Sequence, residues 1–228
     1  MAVNIVEKID DLVAVKNVII SVSNKAGLEK LVPALLDICP AMTIYSTGGT
    51  FASLKTILGA KAEKHLVQVS DFTGQPEMQG GLVKTLDWKI YLGLLSESYN
   101  PAHQDDLKKY KGKTFDLVIV NLYPFRETIA KPGGTSEEAR ANIDIGGPCM
   151  VRASAKNFIR VTPVVDPADY DALIAELKKN KGKLSLAFRF KMAGKAFEHT
   201  ASYDRAIADY FAKTGIDKVR SVYKEIVK

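Results

Sequence analysis

Several short stretches of this chain set reactive side chains just past apolar runs. In "EMQGGLVKTLDWKIYLG", residues 77–93, Lys84 and Thr85 follow a glycine pair. Such a pair lets a backbone bend sharply or approach a ligand closely, and a lysine there can supply charge or move a proton. "SVSNK" (21–25) brings Ser23 and Lys25 together, and "STGGT" (46–50) brings Ser46, Thr47 and Thr50 around Gly48 and Gly49. Two glycines can turn amide N–H groups toward one point, and a following helix N-terminus adds partial positive charge, so "STGGT" describes a phosphate cradle. A plain strand-to-helix turn has the same composition, and the pattern is neither a P-loop nor a dinucleotide fingerprint. "NLYPF" (121–125) carries Tyr123, "NIDIGGP" (142–148) sets Asp144 between two isoleucines, and "ASAKN" (153–157) offers Lys156. Each has a structural alternative: a tyrosine packing beside proline, a helix-capping carboxylate, and a surface lysine.

The elements that must position these residues follow from hydrophobic patterning. "VKNVIISVS", "MTIYS", "HLVQV", "FDLVIVNLYPF" and "RVTPVVD" read as strands, the fourth apolar at every position from Leu117 to Val120. "KAGLEKLVPALLDIC" has Leu28, Leu31, Val32, Leu35 and Leu36 at helical spacing, with Pro33 predicting a kink or an irregular first turn. Further helices are expected over "TGGTFASLKTIL", "TSEEARANI", "GGPCMVRASAKN" and "PADYDALIAELKKN", and over most of the chain beyond Ser185. Strand and helix alternate over residues 17–180, which implies a parallel sheet covered by helices on both faces. Ligands of such sheets sit beyond the carboxyl ends of the strands. That rule alone selects Ser21–Lys25, Ser46–Thr50, Asn121–Phe125 and Asp166.

Composition narrows the class. The 228 residues are 46% hydrophobic and 25% charged, an ordinary globular balance. No apolar run reaches membrane-span length, and the N-terminus lacks a basic-then-apolar leader pattern, so a cytoplasmic protein is expected with no membrane partner. The net charge of +6 is spread along the chain, with "KKYKGK" and "KKNKGK" at expected helix ends, and no nucleic-acid motif accompanies it. Cys39 and Cys149 read as two buried thiols rather than a disulfide.

Taken in order, "SVSNKAGLEKL", "STGGT", "DFTGQPEMQGG", "VKTL", "VNLYPF", "NIDIGGP", "MVRASAKN", "VVDPADY" and "KAFEHTASYDRAIADYF" carry a resemblance. The chain resembles, over about residues 16–214, the inosine monophosphate (IMP) cyclohydrolase domain of the bifunctional purine-biosynthesis enzyme. In that enzyme the domain is joined to a transformylase for aminoimidazole carboxamide ribotide. The resemblance implies a methylglyoxal synthase-like α/β fold: one domain over 1–228, with a three-layer core over about 15–166 and a helical extension over about 167–228. It implies ring closure of formamido-imidazole-carboxamide ribotide (FAICAR) to IMP with loss of water, without cofactor or metal.

By resemblance the catalytic residues are Lys84, Tyr123, Asp144 and Lys156, with acid and base roles interchangeable among them. Ser23, Lys25, Thr47, Gly48, Gly49, Thr50 and Thr85 bind the ribonucleotide substrate. A homodimer is expected. Because the chain ends at Lys228, no transformylase activity is expected, and a separate transformylase chain is the natural partner.

The opening loop departs from the family pattern G-R-V-K-T-L-H-P-K-I-H-G-G. Leu82 replaces arginine, Asp87 and Tyr91 replace histidines, Trp88 replaces proline and Leu92 replaces glycine. These changes put affinity, specificity and proton management in question, and leave Trp88 as either a base-stacking or a packing residue. Two alternatives follow. One is a non-catalytic nucleotide-sensing module. The other is a methylglyoxal synthase-like lyase, against which stands the absence of the Gly-Pro-x-Gly-Gly stretch that the catalytic aspartate of that family follows. His199, in the last of these motifs, reads as a helix-packing residue.

Overall fold

The computed structural model describes residues 5–76, 83–224 and 226. Its centre is a five-stranded, all-parallel sheet in the order β4 (Leu66–Gln68), β3 (Thr43–Ser46), β2 (Asn17–Val22), β5 (Leu117–Asn121) and β6 (Thr162–Val164). A separate two-stranded antiparallel ribbon pairs β1 (Leu12–Ala14) with β7 (Lys183–Ser185). Sequence patterning missed this ribbon, because three-residue strands from opposite ends of the chain carry no periodic signal.

In chain order the first half runs β2 (Asn17–Val22), α1 (Leu28–Ile38), β3 (Thr43–Ser46), α2 (Gly48–Leu58), α3 (Ala62–His65), β4 (Leu66–Gln68) and α4 (Val69–Thr73). The middle holds α5 (Trp88–Leu95), α6 (Pro101–Lys109), β5 (Leu117–Asn121), α7 (Phe125–Ala130), α8 (Ser136–Ala141) and α9 (Gly146–Lys156). The chain then forms β6 (Thr162–Val164), α10 (Tyr170–Lys179), β7, α11 (Leu186–Lys213) and α12 (Ile216–Arg220).

The central strands are apolar throughout because both faces are covered. Val18, Ile20, Val22, Leu117 and Ile119 point into one core with Leu31, Leu35 and Leu54 of α1 and α2. Ile19, Val118 and Val120 point the other way, onto Ile90 and Leu94 of α5, Met150 and Val151 of α9, and Ala193 and Ala196 of α11. This is the period-two alternation of a strand with both sides buried. Leu173 and Leu177 of α10 belong to the first core, so the segment just after residue 167 packs as part of the helical layer. Pro33 sits inside α1, whose start is set by Gly27 at φ +79°.

Two buried arginines lock the outer parts to the sheet. Arg189 is fully buried, and its guanidinium donates to the carbonyls of Asp10, Asp11, Phe158, Ile159 and Leu184. Arg160 donates to the carbonyls of Gly93, Ser96 and Phe115 and reaches Asp116 at 3.4 Å. Asp116 in turn accepts from the backbone N–H groups of Lys16 and Asn17. These bonds satisfy charges that would otherwise be costly to bury. Among the described residues no helix is long and apolar enough to cross a membrane.

Candidate active site

Parallel register brings the strand ends to one edge. Ile20 lies opposite Ser46, and Val22 lies opposite Asn121. The residues that follow these strands open a cleft of about 310 Å³. One wall carries Ser21, Ser23, Lys25, Thr47, Gly48, Gly49 and Thr50; the other carries Val83–Leu86, Asn121, Tyr123, Asp144 and Gly146–Gly147. Ten of the eleven residues expected at the site therefore line one cleft.

The anion-binding end is built on the start of α2. Thr47 stands at the N-cap and makes no side-chain capping bond, so the first amides of an 11-residue helix face the cleft with its positive dipole end. Gly48 has φ +48°, and a Cβ there would stand 2.7 Å from the Lys84 Nζ. A Cβ on Gly49 would stand 3.9 Å from the Lys25 Nζ. Two ammonium groups thus approach the same glycine pair, which suits a phosphate bearing two charges.

Two hydroxyls expected in the cradle are committed elsewhere. Thr50 Oγ1 accepts from Val22 N–H at 3.0 Å and donates to Val22 O at 2.9 Å, so it fastens α2 to β2 although it borders the cleft. Ser46 is fully buried and donates to Ile20 O. Thr47 keeps its hydroxyl near that of Ser21, at 3.4 Å. Sequence reasoning had not given Asn121 a role. Its amide accepts from Asn24 N–H at 2.8 Å and donates to Asn24 O at 2.9 Å, which clamps the Ser23–Lys25 loop. Its place at a strand end was the available signal.

Across the cleft, Asp144 Oδ1 accepts from Gly147 N–H at 2.8 Å, in the first turn of α9. A Cβ on Gly147 would meet Asp144 Oδ2 at 2.6 Å and Leu122 at 2.7 Å, so glycine is required there. Asp144 is thus both a turn-forming carboxylate and a wall of the cleft. Burial raises its pKa above the ordinary 3.8, while the amides of Gly147 and Tyr123 pull it down. Tyr123 is about half exposed at the cleft mouth. Thr85 is buried, with Oγ1 against Gly146.

Lys156 departs from the expectation. It is the last residue of α9, exposed, at the end opposite the Gly146–Gly147 edge of the cleft. Ten residues of α-helical rise separate it from that edge by about 15 Å.

Three of the unusual residues of the opening loop, Asp87, Trp88 and Tyr91, do not line the cleft. Asp87 is buried and caps α5, accepting from Lys89 N–H at 2.7 Å. Trp88 is 60% exposed and packs edge-on against Tyr110 rather than toward the cleft. Tyr91 packs on the second core, its buried hydroxyl facing Cys149; burial first, then Cys149, raises its pKa. Among its described residues, this loop gives the cleft Val83, Lys84, Thr85 and Leu86. Val83 holds φ +66°, a strained conformation for a β-branched residue, immediately before Lys84. The Gly80–Gly81 pair and Leu82 lie outside the described residues.

Cys39 is buried and Cys149 half-buried, both as free thiols. His199 is half-buried on α11, its Nε2 without a hydrogen-bond partner and its pKa lowered chiefly by burial. Among the described residues no group of three or more His, Cys, Asp or Glu side chains is placed to hold a metal ion.

Comparison with known proteins matches this layout. A family model described as an MGS-like domain matches residues 27–149, and one described as the AICARFT/IMPCHase bienzyme matches residues 154–227. The bifunctional purine biosynthesis protein PurH of Trichormus variabilis is 48% identical over 196 residues, 86% of this chain and 38% of that protein. PurH of Nostoc punctiforme is 48% identical over 190 residues, 83% of this chain and 36% of that protein. The chain thus spans less than two fifths of these curated relatives. The crystal structure of ForH superposes with a TM-score of 0.72 at 30% identity, over 88% of this chain and 98% of that one. The chain belongs to the MGS-like domain family, on the branch represented by the AICARFT/IMPCHase bienzymes.

Proposed function

We propose that this protein is an IMP cyclohydrolase that closes FAICAR to IMP. The observation that carries the reading is the pairing of two groups across one cleft. Lys25 and Lys84 converge on the start of α2, while Asp144 and Tyr123 face them from the ends of other elements. A ribotide has the same polarity, with a phosphate at one end and a hydrogen-bonding heterocycle at the other.

In this reaction the carboxamide nitrogen attacks the formyl carbon of the same molecule and gives up a proton. The former formyl oxygen gains protons and leaves as water, and the former formamide nitrogen loses its hydrogen as the ring double bond forms. No electrons are exchanged with an external partner. The cleft contributes orientation, by fixing the phosphate and letting the two reacting groups meet. Asp144 accepts from the carboxamide nitrogen and orients it. Lys84 and Tyr123 donate to the developing oxyanion and to the departing oxygen. Thr85 holds the Lys84 turn against Gly146. Lys25 and the amides of Gly48 and Gly49 bind the phosphate in ground and transition states alike.

The test supplies FAICAR without folate and follows IMP by chromatography. IMP above the spontaneous rate supports the reading. A nucleotide-sensing module would bind IMP in the same cleft and produce none.

A further inference from the structure

We propose that Tyr203 is a positioning residue that sets the orientation of Asp144, reaching the cleft from outside the MGS-like match. This rests on the cyclohydrolase reading given above. Tyr203 lies on α11, inside the segment matched by the bienzyme model, whereas Asp144 lies inside the MGS-like match. Its hydroxyl accepts from Asp144 N–H at 2.9 Å and donates to Asn142 O at 2.9 Å. One phenol oxygen thus bridges two backbone groups of the Asn142–Ile145 connection between α8 and α9.

Burial raises the Tyr203 pKa to about 12, so the hydroxyl keeps the proton that it donates to Asn142. The ring is 8% exposed and packs edge-on against Phe125, centroids 6.2 Å apart. Phe125 begins α7, two residues after Tyr123. A single side chain therefore touches both segments that bring reactive groups to this wall of the cleft.

The physical consequence concerns geometry. A carboxylate that must meet one nitrogen of a bound heterocycle loses effectiveness when its backbone drifts, and a displacement of about 1 Å can cost on the order of 10² in rate. Without the Tyr203 hydroxyl the Asp144 amide has no partner at its present position, so the connection relaxes. The phosphate end is formed by other elements and is unaffected.

The experiment uses Tyr203→Phe in the full chain, which removes one oxygen and keeps the ring packing. With FAICAR, kcat falls about tenfold or more while KM stays within about twofold. In an Asp144→Asn background the same substitution has little further effect on kcat, because Tyr203 acts through Asp144. Amide exchange at Asp144 speeds up in Tyr203→Phe, while exchange at Ile119 in β5 is unchanged. An unchanged kcat in folded Tyr203→Phe, or a full additional loss in the Asp144→Asn background, overturns the proposal. If the wild-type protein does not turn over FAICAR, the cyclohydrolase reading fails and exchange at Asp144 decides the bridging role alone. If Tyr203→Phe does not fold, exchange in the wild-type protein decides: an Asp144 amide as unprotected as an exposed loop amide overturns the proposal.

Discussion

Asn24 and Asn121 exchange two hydrogen bonds, one in each direction, between the loop after β2 and the last residue of β5. The loop that carries Ser23 and Lys25 is thereby fixed to the strand that leads to Tyr123. Asn121→Leu removes both bonds and frees the Lys25 loop. It is expected to raise KM for the ribotide by about tenfold, since the loss of roughly 1 kcal/mol per hydrogen bond falls mainly on binding. Steady-state kinetics with FAICAR check this, and a change confined to kcat would contradict it.

Gly48 meets two constraints at once, a positive φ and the nearby Lys84 ammonium. Gly48→Ala must strain the start of α2 or displace Lys84. Weaker binding of IMP and of inorganic phosphate is expected by calorimetry, with circular dichroism unchanged. Phosphate affinity equal to that of wild type would argue against an anion site at this helix start.

Asp144 should trade stability against function. Burial raises its pKa above 3.8, so the folded state holds this proton more tightly than the unfolded chain. The contribution of this group to stability is fully present below 3.8 and is lost as pH rises through the higher folded value. At neutral pH the ionised carboxylate is thus a cost, and Asp144→Asn should raise the thermal midpoint while lowering kcat. The Gly147 N–H still finds an acceptor in the amide oxygen. A lower midpoint at pH 7 in Asp144→Asn would contradict this assignment.

Arg160 is likewise penalised by burial, which lowers its pKa, but removing it strands the groups that bond to it. Arg160→Met leaves Asp116 without its cation, and the carbonyls of Gly93, Ser96 and Phe115 without their donor. Breaking a buried pair from one side costs about 3–5 kcal/mol. Urea denaturation should show that loss with little change in slope, and a loss below about 1 kcal/mol would mean that the site is hydrated.

The sheet and the location of the cleft were legible in the sequence for the same reason. Val18–Val22 and Leu117–Val120 are apolar on both faces, and the residues that end such strands must line the ligand edge. Less legible was how each hydroxyl is used. Ser46 bonds to β2 through the register between β2 and β3, and Thr50 through the seating of α2 on the end of β2, which no local pattern reveals. Lys156 was carried over by resemblance, yet the axis of α9 takes it away from the cleft. Asp87 was legible in another sense, as an N-cap residue before an apolar helix, and comparison with a histidine-bearing motif hid that simpler signal. The Tyr203–Asp144 bond joins residues 59 apart and depends on where α11 crosses α9.

Whether this cleft closes the ring of FAICAR, as proposed, is decided by the rate of IMP formation by wild type, Asp144→Asn and Lys25→Ala without folate. Under the cyclohydrolase reading wild type catalyses the reaction, Asp144→Asn loses ~10² or more in kcat, and Lys25→Ala mainly raises KM. Wild-type protein that forms IMP no faster than the spontaneous reaction would contradict it.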